Sequence, residues 1–344
     1  MRGDGMNKQL SIYDISKLSG VSISTVSRVL NGSQNVNGQT RERVEAVIRK
    51  YGYVPRQSAR NFREQPVFAI GLMMDDIRNP YMSGLAYAIN HELSKERVNT
   101  ILCNIDDVES EFLSQLDNLI EKKVSGVILM GSLFQNHLCR VALERKYSGF
   151  PFVAINGHFA LPNVHEVIQD QQHGTRDAVA YLHRQERRHI GWVYRNQSAS
   201  DMKKNAGYLA GIREFALEPR SEEVAVKSLA EGREATRRLL TRFPDTDAVI
   251  YSSDTLAVGG AHYLNDIRRA IPEDVAIIGF NNSSSARECY PPLTSIDNSL
   301  ELCGKAAADL MLRVIDKQSV DDVIVPCGLA IRESTEKRAR QEEC

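Results

Sequence analysis

Two periodicities divide the chain. Over residues 11–52 apolar side chains recur three and four positions apart, the spacing of amphipathic helices. Ile12, Ile15 and Leu18 mark one helix, Val26, Val29 and Leu30 a second, and Val44, Val47, Ile48 and Tyr51 a third. Ser11 followed by Asp14 is a capping-box pattern for the first. Gly20 breaks that helix, Val21 turns inward, and Ser22 caps the second helix, which runs to about Asn31. The third begins near Asn37 and ends at Gly52 and Pro55. Two short helices joined by a tight glycine turn, with a third behind, predict a helix-turn-helix. From Val67 onward the pattern changes. VFAIGLMM, TILCN, GVILM, FVAIN, HIGWVY, AVIYSS and VAIIGF predict buried parallel strands, and EFLSQLDNLIEK, GTRDAVAYLHR and REATRRLLTRF predict crossover helices. Repeated strand–helix–strand units imply an α/β body of parallel sheets covered on both faces, with too many strands for one small sheet.

Charge sharpens this division. Residues 1–65 carry 11 Lys and Arg against 5 Asp and Glu, while residues 66–344 carry 32 against 39. The formal net charge of −1 therefore hides a basic head on a mildly acidic body, the distribution of a nucleic-acid-binding module tethered to another domain. The second helix, within VSISTVSRVLNG, is rich in hydroxyls, which are mediocre helix formers. A helix in the major groove needs such short polar side chains near its start to reach base edges and phosphates. A long donor such as Arg28 suits guanine, worth ~1–3 kcal/mol of discrimination.

The remaining composition narrows the classes. Six cysteines lie scattered with no paired spacing, which predicts a reducing compartment and no zinc site. No apolar run opens the chain and none reaches the ~18 residues of a membrane span, so a cytoplasmic protein without membrane partners is expected. Neither a nucleophile elbow, a phosphate-binding loop, a zinc-protease motif nor a dinucleotide fingerprint is present, so neither an enzyme nor a bound cofactor or metal is expected. His158 and His173 read as structural or surface histidines.

IYDISKLSGVSISTVSRVLNG, followed by TRERVEAVIRKYGYVPRQSARNFR, resembles the head of the lactose/galactose-repressor (LacI-type) family over some fifty positions. The resemblance implies base reading by Ile23, Ser24 and Arg28. It implies backbone contacts from Tyr13, Ser22, Thr25, Ser27 and Asn31. PRQSARNFR is similar to the family's hinge helix, in which small Ser58 and Ala59 let two copies approach and Phe62 replaces the usual leucine wedge in the minor groove. Downstream, VSGVILM, QDQQHGTRDAVAYL, NAGYLAGIREF, SSDTLAVGGAHYL and IPEDVAIIGFNN are similar to periplasmic sugar-binding proteins and to LacI-type sensor halves. The organisation so implied is a helix-turn-helix domain over 1–55 and a hinge helix with linker over 56–66. Then follow an N-terminal lobe of 67–169 plus 299–329 and a C-terminal lobe of 170–298 plus 330–340. The chain would cross between lobes near Gln169, Asn298 and Leu329.

Five residues carry the effector expectation. Tyr81 stands where the family often places an aromatic against a sugar or base face, with a core tyrosine as the other reading. Asn156 and Asn281 stand where relatives have Asp, and Lys204, three before Gly207, where sugar-binding members have Arg. Asp254 either touches ligand or caps the next helix. An Arg–Asp pair grips vicinal hydroxyls through bonds about twice as strong as neutral ones, whereas Lys lacks the bidentate fork and Asn donates as well as accepts. Fewer carboxylates beside Lys203 and Lys204 suit an anionic ligand, while GFNN and PPLTSID resemble maltose-type regulators and imply a neutral saccharide. The resemblance thus implies a repressor controlled by a small carbohydrate, with an anionic or phosphorylated metabolite or a protein partner as the other controls. A periplasmic solute-binding protein is the remaining reading, against which the head counts. A homodimer on pseudo-palindromic operator DNA is expected, and the tail RESTEKRARQEEC lacks the leucine heptad of a tetramerising helix.

Overall fold

The computed structural model describes residues 11–30, 36–51 and 69–336. The chain forms two compact units that divide between Val67 and Phe68. The first holds helices α1 (Ile12–Ser19), α2 (Ile23–Leu30) and α3 (Gly38–Tyr51). Ser11 and Asp14 close the capping box of α1, and Gly20 ends it in the left-handed conformation at φ 67°, which costs glycine little. The Ser22 hydroxyl accepts from the Thr25 amide at the start of α2, and Asn37 does the same for Gln39 at α3. Ile15, Val26, Val29 and Val44 form the buried centre of this unit.

Two expected core positions lie outside that centre. Leu18 is exposed, because Ser19, one turn after Ile15, takes the inward place and donates its hydroxyl to the Ile15 carbonyl. Tyr51 is exposed at the last residue of α3, with the Lys50 ammonium 5.4 Å from its ring centre.

The body contains two six-stranded sheets. Strands β1 (Ala69–Met74), β2 (Asn99–Asn104), β3 (Gly126–Met130), β4 (Phe152–Ile155), β5 (Val164–Gln169) and β11 (Val323–Val325) make the first, in the order β11-β5-β4-β3-β1-β2. The second comprises β6 (Ile190–Tyr194), β7 (Arg220–Glu223), β8 (Ala248–Tyr251), β9 (Ala276–Phe280), β10 (Thr294–Asp297) and β12 (Gly328–Ala330), in the order β12-β10-β9-β8-β6-β7. Every pairing is parallel except β10 with β12. Both sheets thus run outward from a central strand in the same doubly wound order, which opens a crevice beyond the carboxyl ends of the strands where the order reverses.

Nine body helices are described: α4 (Pro80–Lys95), α5 (Val108–Glu121), α6 (His137–Arg145), α7 (Gln171–Arg184), α8 (Ala199–Glu214), α9 (Leu229–Arg242), α10 (Asp254–Asp266), α11 (Ser284–Glu288) and α12 (Leu300–Ile315). Each sheet has a hydrophobic core on both faces. α4 and α12 cover one face of the first sheet and α5 and α6 the other, while α7 and α8 oppose α9 and α10 on the second. None of the described helices is long and apolar enough to cross a membrane.

The apolar runs all became strands, but TILCN is an edge rather than a buried strand, and Leu102 is more than half exposed. The third crossing falls earlier than Leu329, at Pro326 and Cys327. Leu329 already pairs with Ile296 in the second sheet, whereas Val325 still pairs with Gln169 in the first.

Close helix contact in the second lobe depends on Gly207 of α8, where an added Cβ would collide with the Gln172 carbonyl oxygen of α7. Gly207→Ala is expected to destabilise the body by about 1–3 kcal/mol, since backbone rather than a flexible side chain must yield. Gly149, which faces open space, is the control. Its alanine variant should shift the urea midpoint by less than about 0.5 kcal/mol in equivalent stability.

Candidate DNA-reading face and interlobe ligand site

The outward face of α2 presents Ile23, Ser24 and Arg28, with Ile23 at 40% exposure despite its apolar side chain. At the start of the helix the Ser22 hydroxyl lies 2.9 Å from that of Ser24 and 2.8 Å from that of Thr25. The Ser16 hydroxyl donates to the Val21 carbonyl and fixes the turn between the helices. Tyr13, 69% exposed, stands on α1, while Ser27 is half-buried. Hydroxyls grouped at a helix N-terminus beside the exposed Arg28 guanidinium make a surface suited to phosphates and base edges. Asn31, Ser58, Ala59 and Phe62 lie outside the described residues.

In the body the three crossings between lobes are joined by one buried polar network. The Gln169 side chain, at the first crossing, donates through Nε2 to the Asn298 carbonyl at the second, 2.7 Å away. Its Oε1 accepts from the Tyr81 hydroxyl at 2.7 Å and from Asn156 Nδ2 at 2.8 Å, while its backbone amide donates to Asn156 Oδ1. Asn298 in turn donates to Asn281 Oδ1 at 2.8 Å and accepts from the Cys327 thiol at the third crossing. Asn156 and Asn281 both adopt positive φ, of 59° and 103°, a conformation asparagine tolerates better than most residues. Direct contact between the lobes adds to this. The Ser200 amide, at the start of α8, donates to the Ser132 hydroxyl of the first lobe.

At the strand ends of the second lobe lies a cationic cluster. Asp201, fully buried, accepts from Lys227 Nζ at 2.5 Å and from Arg195 Nε at 3.0 Å, one oxygen each. Burial alone would raise its carboxyl, but Lys227, Lys204 and Arg195 outweigh that and hold it far below the usual carboxylate range. Lys204, 4% exposed, donates to the Ser252 carbonyl at 3.1 Å and stands 3.8 Å from the centre of the Phe280 ring, a cation–π distance. Burial first, and the nearby Lys227 second, push its ammonium down to about 7. Burial likewise lowers Lys227 and raises Asp254.

Residues 11–56 match the profile of bacterial regulatory proteins of the lacI family, and residues 68–333 match that of periplasmic binding proteins and the sugar-binding domain of the LacI family. The chain belongs to the LacI family. An HTH-type transcriptional regulator of Lachnoclostridium phytofermentans is 30% identical over 331 residues, spanning 95% of this chain and 99% of that protein. The lac repressor dimer bound to operator and the anti-inducer ONPF shares the fold, with a TM-score of 0.83 at 23% identity over 95% of this chain and 99% of its own. The transcriptional regulator CelR in its cellobiose complex has a TM-score of 0.68 at 27% identity, over 94% and 99% of the two chains. The protein is thus a DNA-binding transcriptional regulator with a sensor body of the sugar-binding type.

Within this LacI-family body the five expected effector residues play unequal parts. Tyr81 and Asn156 meet at 3.3 Å inside the crossing network, and burial raises the Tyr81 hydroxyl well above its ordinary value. Asn281 is tied to the same network through Asn298. Asp254 is the first residue of α10, capped by Ser253, and its carboxylate is bound by the Ser295 hydroxyl and the Ser283 amide. Four of the five therefore have polar groups engaged by the protein itself. Lys204 keeps donor capacity to spare. His158 pairs with Glu166 and His173 with Asp170, both structural contacts.

Sequence reasoning missed Gln169 as a side chain, and it missed Ser132, Arg195, Asp201 and Lys227 altogether. Arg195 and Ser132 each follow closely on a strand of their sheet, so the rule that ligands gather at the carboxyl ends of open sheets was the available signal.

A depressed ammonium has a definite linkage to stability. Between about pH 7 and 10.5 the unfolded chain binds the Lys204 proton more tightly than the folded chain does, so its cost to the fold is complete below pH 7 and fades as pH rises. Lys204→Met should therefore stabilise the ligand-free body by about 1–4 kcal/mol at pH 7 and below. The difference from wild type in denaturant unfolding should shrink steadily towards pH 10; a difference independent of pH would contradict the assignment.

Proposed function

We propose that two copies of the chain bind a pseudo-palindromic operator and that a small carbohydrate held between the lobes sets their affinity for it. Ile23, Ser24 and Arg28 read bases, and Tyr13, Ser22, Thr25, Ser27 and Asn31 hold the DNA backbone. Ser58, Ala59 and Phe62 act at the central minor groove. The observation carrying this reading is the union, on one chain, of a LacI-type head with an exposed hydroxyl-and-arginine face and a two-lobed body whose strand ends converge on a buried polar site. The domain limits proposed are 1–55, 56–66, and two lobes exchanging chain near residues 169, 298 and 326. Work as a cytoplasmic regulator without catalysis fits the regulator relatives and the engagement of Asp254, His158 and His173 by neighbouring side chains.

Control by ligand requires two lobe arrangements that operator and effector favour unequally. The lobes meet through Ser132 and Ser200 and are linked at three crossings, so a ligand bridging them biases that equilibrium.

Mobility shifts on the DNA upstream of the protein's own reading frame test the head. Binding should weaken steeply with salt, with the logarithm of affinity falling linearly against the logarithm of salt concentration. Arg28→Ala should lose ~1–3 kcal/mol of preference for the specific site while weak general affinity persists. Equal affinity of wild type for symmetric and random fragments would sink this part. Added separately, saccharides should change operator affinity by ~1–3 kcal/mol when the correct one is offered. A full panel of neutral and charged sugars without any shift excludes carbohydrate control.

A further inference from the structure

Charge in the interlobe site is unbalanced. Three cations, Arg195, Lys204 and Lys227, surround Asp201, whose two oxygens are taken by Lys227 and Arg195. Asp75, following β1 in the facing lobe, acts on Lys227 through space alone. Lys204 is left at 4% exposure with one hydrogen bond, to a neutral carbonyl, and an aromatic face. Among the described residues two of its three ammonium protons have no hydrogen-bond acceptor. An ammonium so buried is expensive to keep unpaired, and a site that keeps one gains most from an incoming anion. At the same strand end, the Ser252 hydroxyl is fully buried and has no hydrogen-bond partner. A hydroxyl in that state is a ready donor to an anionic oxygen.

We infer that the effector carries an anionic group, a carboxylate or a phosphate on a carbohydrate frame, seated on the Lys204 ammonium with Ser252 as a second donor and Arg195 and Lys227 supplying the surrounding positive field. This rests on the reading that a small carbohydrate occupies the interlobe site, and it names the chemistry of that carbohydrate. A neutral saccharide offers acceptors for the spare protons but leaves the surplus charge uncompensated. An anion meets both demands, and it does so where the low dielectric strengthens the attraction.

The inference has a protonic consequence. The groups acting on Lys204 are Lys227, Asp201, Arg195 and the Cys327 thiol, which burial pushes up to about 12 and so keeps neutral. With its ammonium lowered to about 7, Lys204 is largely neutral at pH 8, and a bound anion draws a proton onto it.

The test uses the full chain at fixed ionic strength. Each of several hexoses is offered in three forms (the neutral sugar, its aldonate and its 6-phosphate) beside inorganic phosphate, with thermal unfolding and titration calorimetry as readouts. The expected result is stabilisation by an anionic form and not by its neutral parent. Calorimetry at pH 8 in buffers of different ionisation enthalpy should register proton uptake. Lys204→Met should weaken binding about thirtyfold or more. Lys204→Arg should retain binding but take up no proton, a signature that a purely structural lysine does not produce. The aldonate and phosphate arms distinguish the two anions. If a neutral hexose binds as well as its acid forms and Lys204→Met binds it undiminished, the inference is overturned while carbohydrate control stands. If inorganic phosphate alone reproduces the effect, or no form stabilises the protein, the carbohydrate reading falls with it.

Discussion

One hydrogen bond, from the Gln169 carboxamide to the Asn298 carbonyl, holds the first two crossings of the body together. The carboxamide is buried, so each of its partners must be present. A buried amide left without a partner costs ~1–3 kcal/mol, comparable with the whole expected coupling between ligand and DNA. Tyr81 and Asn156 saturate the acceptor end, Asn298 the donor end, and Asn281 and Cys327 extend the chain of contacts to the second sheet and the third crossing. The junction is therefore stiff in composition but narrow in extent. A hinge requires that motion be confined to a few dihedrals while the packed cores on either side stay intact, and the separate cores of the two sheets meet that requirement.

The sequence made the large divisions readable because burial has a periodic signature. The head's helices follow from Ile15, Val26 and Val44 at helical spacing, and the central strands from unbroken apolar runs such as GVILM and VAIIGF. Three of the four edge strands escaped, as did the inner strands β5 and β10. β7 reads RSEE and is too polar for an apolar run to reveal it, and β11 and β12 are three residues each, too short. Leu18 misled because a two-turn helix has only one truly inward position per turn, and a serine able to bond its own backbone filled the next. The site was half visible. Position 204 stood out through resemblance, but its surroundings come from residues 195, 201, 227, 252 and 280, which no spacing rule assembles. Gln169 was marked only as a place where the chain changes lobes, because an isolated glutamine has no motif.

Charge is segregated at two scales. Along the chain a basic head precedes an acidic body, the long-range condition for attraction to a polyanion. Inside the acidic body the interlobe site inverts that sign, with three cations against one buried carboxylate. The first pattern is solvated and screened by salt over about 10 Å at 0.1 M. The second is centred on buried Asp201 and Lys204, with Arg195 and Lys227 partly exposed, and buried charges are screened less.

The two lobes are not consecutive stretches of chain, and this affects how the protein is made. α12 packs against α4, with Gly304 placed so close to Ala88 that no larger residue fits, and β11 completes the first sheet beside β5. A ribosome reaches those residues only after synthesising the second lobe, on the order of ten seconds after β5 has emerged. During that interval α4 alone covers one face of the first sheet, with Leu85, Ile89 and Leu93 lacking their later neighbours on α12. The lobe begun first is completed only a few residues before the second, whose own last strand is β12, so the nascent regulator carries a partly covered apolar face until nearly its whole length has been translated.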